Sequence, residues 1–131
     1  MANELALLAA NAAYYDAFNA RDDAAMAELW AHEQVSCVHP GWPSLVGRRA
    51  VLASFSQIFR NPRQQPIERQ QESVIGGADE GRVICIERLG DAALVATNWF
   101  RLIGDKWLLL HHQASPLAIE AAPAAGRESM H

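Results

Sequence analysis

Residues 106–116 read KWLLLHHQASP. A charged entry leads into an apolar run, then two histidines, a glutamine and Ser-Pro. Alternate side chains of a strand share a face. Trp107, Leu109, His111 and Gln113 are therefore expected on one face, and Leu108, Leu110, His112 and Ala114 on the other. The first set passes from apolar to polar along its length, as the wall of a pocket does. Both sets are too apolar for open water, so each needs a cover.

The segments before this strand supply that cover. Residues 67–75, 83–89 and 92–102 read as further strands, separated by GGADEG (76–81), Gly90-Asp91 and Gly104-Asp105. Such short turns imply antiparallel neighbours. Nearer the N-terminus the spacing becomes helical. Asn3 caps a helix over about residues 4–20, whose stripe is Leu7, Asn11, Tyr14 and Phe18, flanked by Leu8 and Tyr15. Asp22 or Asp23 opens a short second helix through about Trp30. A short strand over 35–39 ends at Pro40-Gly41-Trp42-Pro43. A third helix over 48–60 carries Val51, Phe55, Ile58 and Phe59 at core spacing and stops at Asn61-Pro62. Helices first and a meander last predict an α+β fold, with three N-terminal helices on one face of a curved antiparallel sheet. Residues 1–117 form a single domain in this reading, and the Ala/Pro/Gly-rich stretch 118–131 is a fraying tail.

Composition narrows the function classes. The 131-residue chain is half hydrophobic, 20% charged and carries a net charge of −4. That length supports a core without staples. No basic stripe suggests nucleic acid, and no run of about 18 apolar residues suggests a membrane span. The N-terminal stretch carries Glu4 early and reads as a helix rather than a signal peptide. Cys37 and Cys85 do not make a disulfide framework, so a reduced, cytoplasmic protein is expected.

The polar residues on inward parity are the candidates for chemistry. His39 and His111 are the candidate general acid or base, since an imidazole titrates near neutrality. Tyr14, Trp30, Cys37, Trp42, Asn98 and Gln113 are candidate ligand contacts, with Asn98 and Gln113 placed to polarise an oxygen. Cys37 and His39, two apart on one strand, are loose for a nucleophile pair. Glu87 sits on an apolar strand, where a carboxylate is either paired or functional. The reading favours a structural pair with Arg101 on the neighbouring strand. His111 and His112 point to opposite faces, so no set of metal ligands converges. No metal or cofactor is assigned.

The segments YYDAFNARD (14–22), ELW (28–30), VSCVHPGWPSLVGRRAV (35–51) and ATNWFRLIGDKWLLLHHQASP (96–116) resemble the SnoaL-like branch of the nuclear transport factor 2-like superfamily. The resemblance covers about residues 5–117. It implies a cone-shaped α+β barrel, of cystatin-like fold, enclosing a deep pocket, and commonly a dimer through the sheet. It does not imply one activity, because isomerases, cyclases, hydrolases, dehydratases and non-enzymatic members share the fold. Steroid-isomerase-like members use an acidic base on a pocket wall. Here the HPG strand has no carboxylate, and the last strand carries His111 and Gln113 in place of an Asp.

Two functions follow. One is an enzyme moving a proton on a small, largely apolar carbonyl or hydroxyl compound. The other is a binding or accessory domain using the same pocket without turnover. The outward face of the sheet, with Leu108, Leu110, Thr97 and Trp99, would leave an apolar patch in water. A homodimer through that patch is expected, with His112 near its interface.

Overall fold

A computed structural model describes residues 2–118. The expected tail from residue 119 onward lies outside the described residues. The elements are α1 (Ala2–Ala20), α2 (Asp23–Leu29), β1 (Ser36–Val38), β2 (Leu45–Val46), α3 (Arg48–Phe59), β3 (Glu68–Gly76), β4 (Glu80–Leu89), β5 (Ala92–Ile103) and β6 (Lys106–Pro116). The six strands form one sheet in the order β2-β1-β6-β5-β4-β3. The helices precede the meander, giving the expected α+β cone.

β3 to β6 run antiparallel, as their short turns require. β1 instead lies parallel to β6, with Ser36 opposite His111, Cys37 opposite His112 and Val38 opposite Gln113. The sheet is therefore mixed. Turn length constrains only consecutive strands, and β1 reaches β6 after α3 and the whole meander. The two-residue β2, hydrogen-bonded to β1, has no separate signal in the sequence.

The inner face of the sheet is covered chiefly by α1. Leu7, Asn11, Tyr14, Tyr15 and Phe18 are all buried, so the helical stripe is the contact face. Leu7 sits so close to β4 that a Cβ at Gly81 would collide with Leu7 Cδ1. A side chain there would force Leu7 to shift against the sheet. Asn19 closes the far end of α1, donating to Ile67 O at 2.9 Å and accepting from Ile67 N at 2.8 Å.

Two arginines hold the helix ends. Asp22 caps α2 by accepting from Ala25 N at 3.0 Å. At its other end Arg48 donates to Ala27 O, Trp30 O and Ala31 O at 2.8–3.1 Å. Arg21, with φ of 55°, donates to Phe59 O, Asn61 O and Gln64 O where α3 ends. Carbonyls past a helix C-terminus lack internal partners, and guanidinium groups supply them here.

The deciding strand is not regular. Trp99 pairs with His111 and Phe100 with Leu109, so Leu110 is an extra residue on β6. This β-bulge reverses the alternation for everything after it. Leu109 points inward, but so do His112 and Ala114, while His111 and Gln113 point outward. The expectation of His111 and Gln113 on the inner face, with His112 outside, is corrected on that account.

Candidate active site

A cavity of about 200 Å³ lies between the helices and the sheet. Phe18, Ile58, Ile67, Leu89 and Leu94 give it an apolar lining, and Trp42 and Pro40 stand at its side. Its buried polar residues are Tyr14, His39, Glu87 and His112. Four elements bring them together. Tyr14 comes from the α1 stripe, His39 from the end of β1, Glu87 from β4 and His112 from β6 beyond the bulge.

Glu87 is 2% exposed. The alternation of β4 carries Gly81, Val83, Cys85 and Glu87 to the inner face. Arg101 does not reach it, because the register sets Arg101 opposite Glu80 and Glu87 opposite Leu94. Arg101 instead forks onto Glu80 at 2.7 and 3.0 Å, so the expected Glu87–Arg101 pair does not form. Among the described residues Glu87 receives one neutral donor, the Tyr15 hydroxyl at 2.6 Å. Burial without a cation pushes its carboxyl up to about 7, against the smaller opposing effect of the Tyr15 bond.

Behind Tyr15 lies a chain of buried amides. Asn98 Nδ2 donates to Tyr15 OH at 3.0 Å and to Asn11 Oδ1 at 2.8 Å. Asn11 Nδ2 donates to Glu72 Oε2 at 2.8 Å. Asn98 Oδ1 meets His112 Nδ1 at 2.5 Å. Asn98 thus stands behind the cavity wall, bonded to His112, which lines the cavity, and to Tyr15, which holds Glu87 from behind. It shares its face with Ala96 and Phe100, and it is fully buried.

Both inner imidazoles are held neutral. Burial lowers His39 to about 4. Burial, then His39 and His111, lower His112 to about 3. Their ring centroids are 6.1 Å apart. His39 Nε2 meets Ser54 Oγ at 2.8 Å, and Ser54 donates its own hydrogen to Val51 O at 2.6 Å. Tyr14 stacks obliquely on His112 at 5.0 Å, and burial raises its hydroxyl well above its ordinary range, with Glu87 adding to the effect.

The remaining sequence candidates lie off the cavity. His111 is outside, bonded to Ser36 Oγ at 2.7 Å and to Gln113 Oε1 at 3.1 Å. Trp30 is buried against Phe55, at 5.9 Å between ring centroids, and does not line the cavity as a ligand contact would. Cys37 lies under His39 with Sγ 3.6 Å from Nε2, and burial pushes its thiol up to about 12. A thiol that stays protonated is a poor nucleophile. Sequence reasoning weighed Glu87 as paired or functional and favoured a structural pair with Arg101, and it placed His112 on the outer face, so neither was a site candidate. The signal for Glu87 was present, as a carboxylate on the inward parity of an apolar strand. Among the described residues no three His, Cys, Asp or Glu side chains group as metal ligands. No described helix is long and apolar enough to cross a membrane.

The chain matches the SnoaL-like domain over residues 7–120. Its structure is similar to that of a candidate dehydratase of the nuclear transport factor 2-like family from Streptomyces avermitilis. The two share 31% identity and a TM-score of 0.80, covering 89% of this chain and 97% of the other. It is also similar to a candidate calcium/calmodulin-dependent protein kinase type II association domain from Thiobacillus denitrificans. There the identity is 34% and the TM-score 0.73, over 83% and 93% of the two chains. A ketosteroid isomerase-like protein from Erwinia carotovora atroseptica, 21% identical with a TM-score of 0.70 over 87% and 95%, shares the fold. No curated protein matches the chain.

Proposed function

Because this chain belongs to the SnoaL-like family of the nuclear transport factor 2-like superfamily, we propose that its cavity is a proton-transfer site for a small, largely apolar carbonyl or hydroxyl compound. The observation that carries the reading is Glu87. It is a carboxyl on the cavity wall with, among the described residues, no cation and one hydroxyl donor, and with a pKa of about 7. A general base works best when its pKa lies near the operating pH. The two inner histidines, at about 4 and about 3, are too weakly basic for that role at neutral pH. The base is therefore Glu87, and the imidazoles act as neutral hydrogen-bonding groups.

In this reading the carboxylate takes a proton from the bound molecule. Returning it at another position completes an isomerisation, and delivering it to a departing hydroxyl completes a dehydration. A structurally similar relative is described as a candidate dehydratase, which supports the second outcome. Apolar walls around the base keep it desolvated and its proton affinity high.

The test is incorporation of deuterium from heavy water into a panel of monocyclic hydroxy and carbonyl compounds, followed by NMR. Wild-type protein should exchange at least one of them. Glu87→Gln keeps the shape and should lower exchange by roughly 100- to 10,000-fold. Exchange unaffected by Glu87→Gln removes the base from its role. The second reading, a binding domain without turnover, is favoured by the closure of the network, since Tyr15, Asn98 and Ser54 all bond within the protein. Ligand binding with no exchange of any compound in the panel supports it. We also propose that two copies pair through the outer sheet face and that the protein works in the cytoplasm.

A further inference from the structure

The hydrogen-bond chain behind the wall determines which nitrogen of His112 accepts and which donates. Glu72, ion-paired with Arg69 at 3.1 Å, presents only acceptor oxygens. The Asn11 atom facing it must therefore be the NH2 group. The Asn11 oxygen then faces Asn98, which must answer with its own NH2. That leaves the Asn98 oxygen against His112 Nδ1, so Nδ1 carries the ring hydrogen. A neutral imidazole with hydrogen on Nδ1 has a bare lone pair on Nε2. Asn98 lies behind the wall while His112 lines the cavity, so this lone pair is on the cavity side.

The same logic applies to His39. Ser54 donates its single hydrogen to Val51 O, so its oxygen accepts from His39 Nε2–H, and His39 Nδ1 is left as the acceptor. Tyr15 spends its hydrogen on Glu87, whose second carboxylate oxygen stays free to accept.

We propose that the cavity selects ligands that carry a hydroxyl hydrogen, a phenol or alcohol of about one ring, and rejects their ether counterparts. Glu72 is the positioning residue that sets this preference from about two side chains away. The inference rests on the cavity being a ligand site, as proposed above, and goes beyond it in choosing the donor over the bare carbonyl. A volume of 200 Å³ equals about seven waters at roughly 30 Å³ each, which suits one ring. An acceptor left facing a ligand that cannot donate is unpaired, and that is where discrimination arises.

The experiment pairs calorimetry with imidazole nitrogen NMR on the intact chain at about pH 8. Phenol should bind at least about tenfold more tightly than anisole, which has the same ring with the hydrogen replaced by methyl. The nitrogen spectrum should show His112 protonated at Nδ1 and His39 at Nε2. Glu72→Gln offers both donor and acceptor, so it releases the orientation of Asn11. It should narrow the phenol-to-anisole ratio and mix the His112 tautomers while the fold is retained. Equal binding of phenol and anisole overturns the donor rule and leaves the ligand site standing. Binding of neither overturns both. His112 protonated at Nε2, or a Glu72→Gln protein indistinguishable from wild type in ratio and tautomer, overturns the relay.

Discussion

At the scale of single residues, the cavity is a set of titrating groups whose pKa values are shifted by burial. Glu87 is raised from 4.5 to about 7, so its folded state holds a proton that the unfolded chain releases. Stability from this group is full below about 4.5 and is lost as pH rises through about 7. The linkage is worth about 3 kcal/mol, on the order of 1.4 kcal/mol per pH unit. The histidines act the other way. They fall from 6.5 to about 4 and about 3, so their contribution is present above 6.5 and is lost as pH drops through those values. Melting temperature against pH should therefore peak in the mildly acidic range. Glu87→Gln should remove the decline on the alkaline side, so its advantage over wild type grows between about pH 5 and pH 8. An advantage that stays flat across that range would show that Glu87 is not buried as an acid. Tyr15→Phe removes the one donor that lowers the Glu87 pKa. The midpoint of the Glu87 carboxyl, followed by carbon NMR, should rise above its wild-type value. Some of this was legible in sequence. Val35 and His39 flank the short strand that carries Cys37, and all three are buried, as their alternate spacing predicts. Glu87 was visible as an inward carboxylate, but its lack of a cation depends on strand register, which sets Arg101 against Glu80 instead.

At the scale of elements, close approach and capping decide the arrangement. Gly81→Ala should push α1 away from β4 through Leu7, costing about 1–3 kcal/mol in urea unfolding. Arg48→Ala strips the donor from Ala27 O, Trp30 O and Ala31 O and should cost about 2 kcal/mol by the same measurement. A loss near zero would mean that water replaces the guanidinium without penalty. Strand β4 and helix α3 were readable because their 2.0 and 3.6 periodicities are clear, whereas α1 is apolar nearly all round and was read from its length and its Leu7, Asn11, Tyr14 and Phe18 spacing. The β6 bulge was not, since the extra residue is one leucine within a run of three and carries no glycine or polar mark. The parallel β1–β6 pair was equally hidden, because no turn joins the two strands.

At the scale of the molecule, the helices occupy one side of the sheet, and among the described residues no element covers the other. Ile75, Val95 and Trp99 are 37–47% exposed. Arg82 lies over the Trp99 ring at 5.5 Å, and Glu80 accepts from Trp99 Nε1 at 3.1 Å. Of the patch expected from sequence, Trp99 remains, whereas the bulge draws Leu110 largely out of water. The proposed dimer would pair these surfaces about a twofold axis, with His111 rather than His112 at the interface. Light scattering at high micromolar concentration should give twice the chain mass, and Trp99→Asp should return the chain to a monomer. A wild-type monomer under those conditions would remove the proposal.

The extra residue at Leu110 also governs how pockets of this architecture compare between chains. Here the inward positions on either side of it, Leu109 and His112, are three apart instead of two. In a chain whose last strand lacks the insertion, the side chain occupying the place of His112 lies one position nearer the apolar run. Removing codon 110 should thus straighten the strand and still leave His112 inside. A change of length rather than of residue type is what realigns this wall, so equivalent pocket residues are matched only when a one-residue gap is opened at this point.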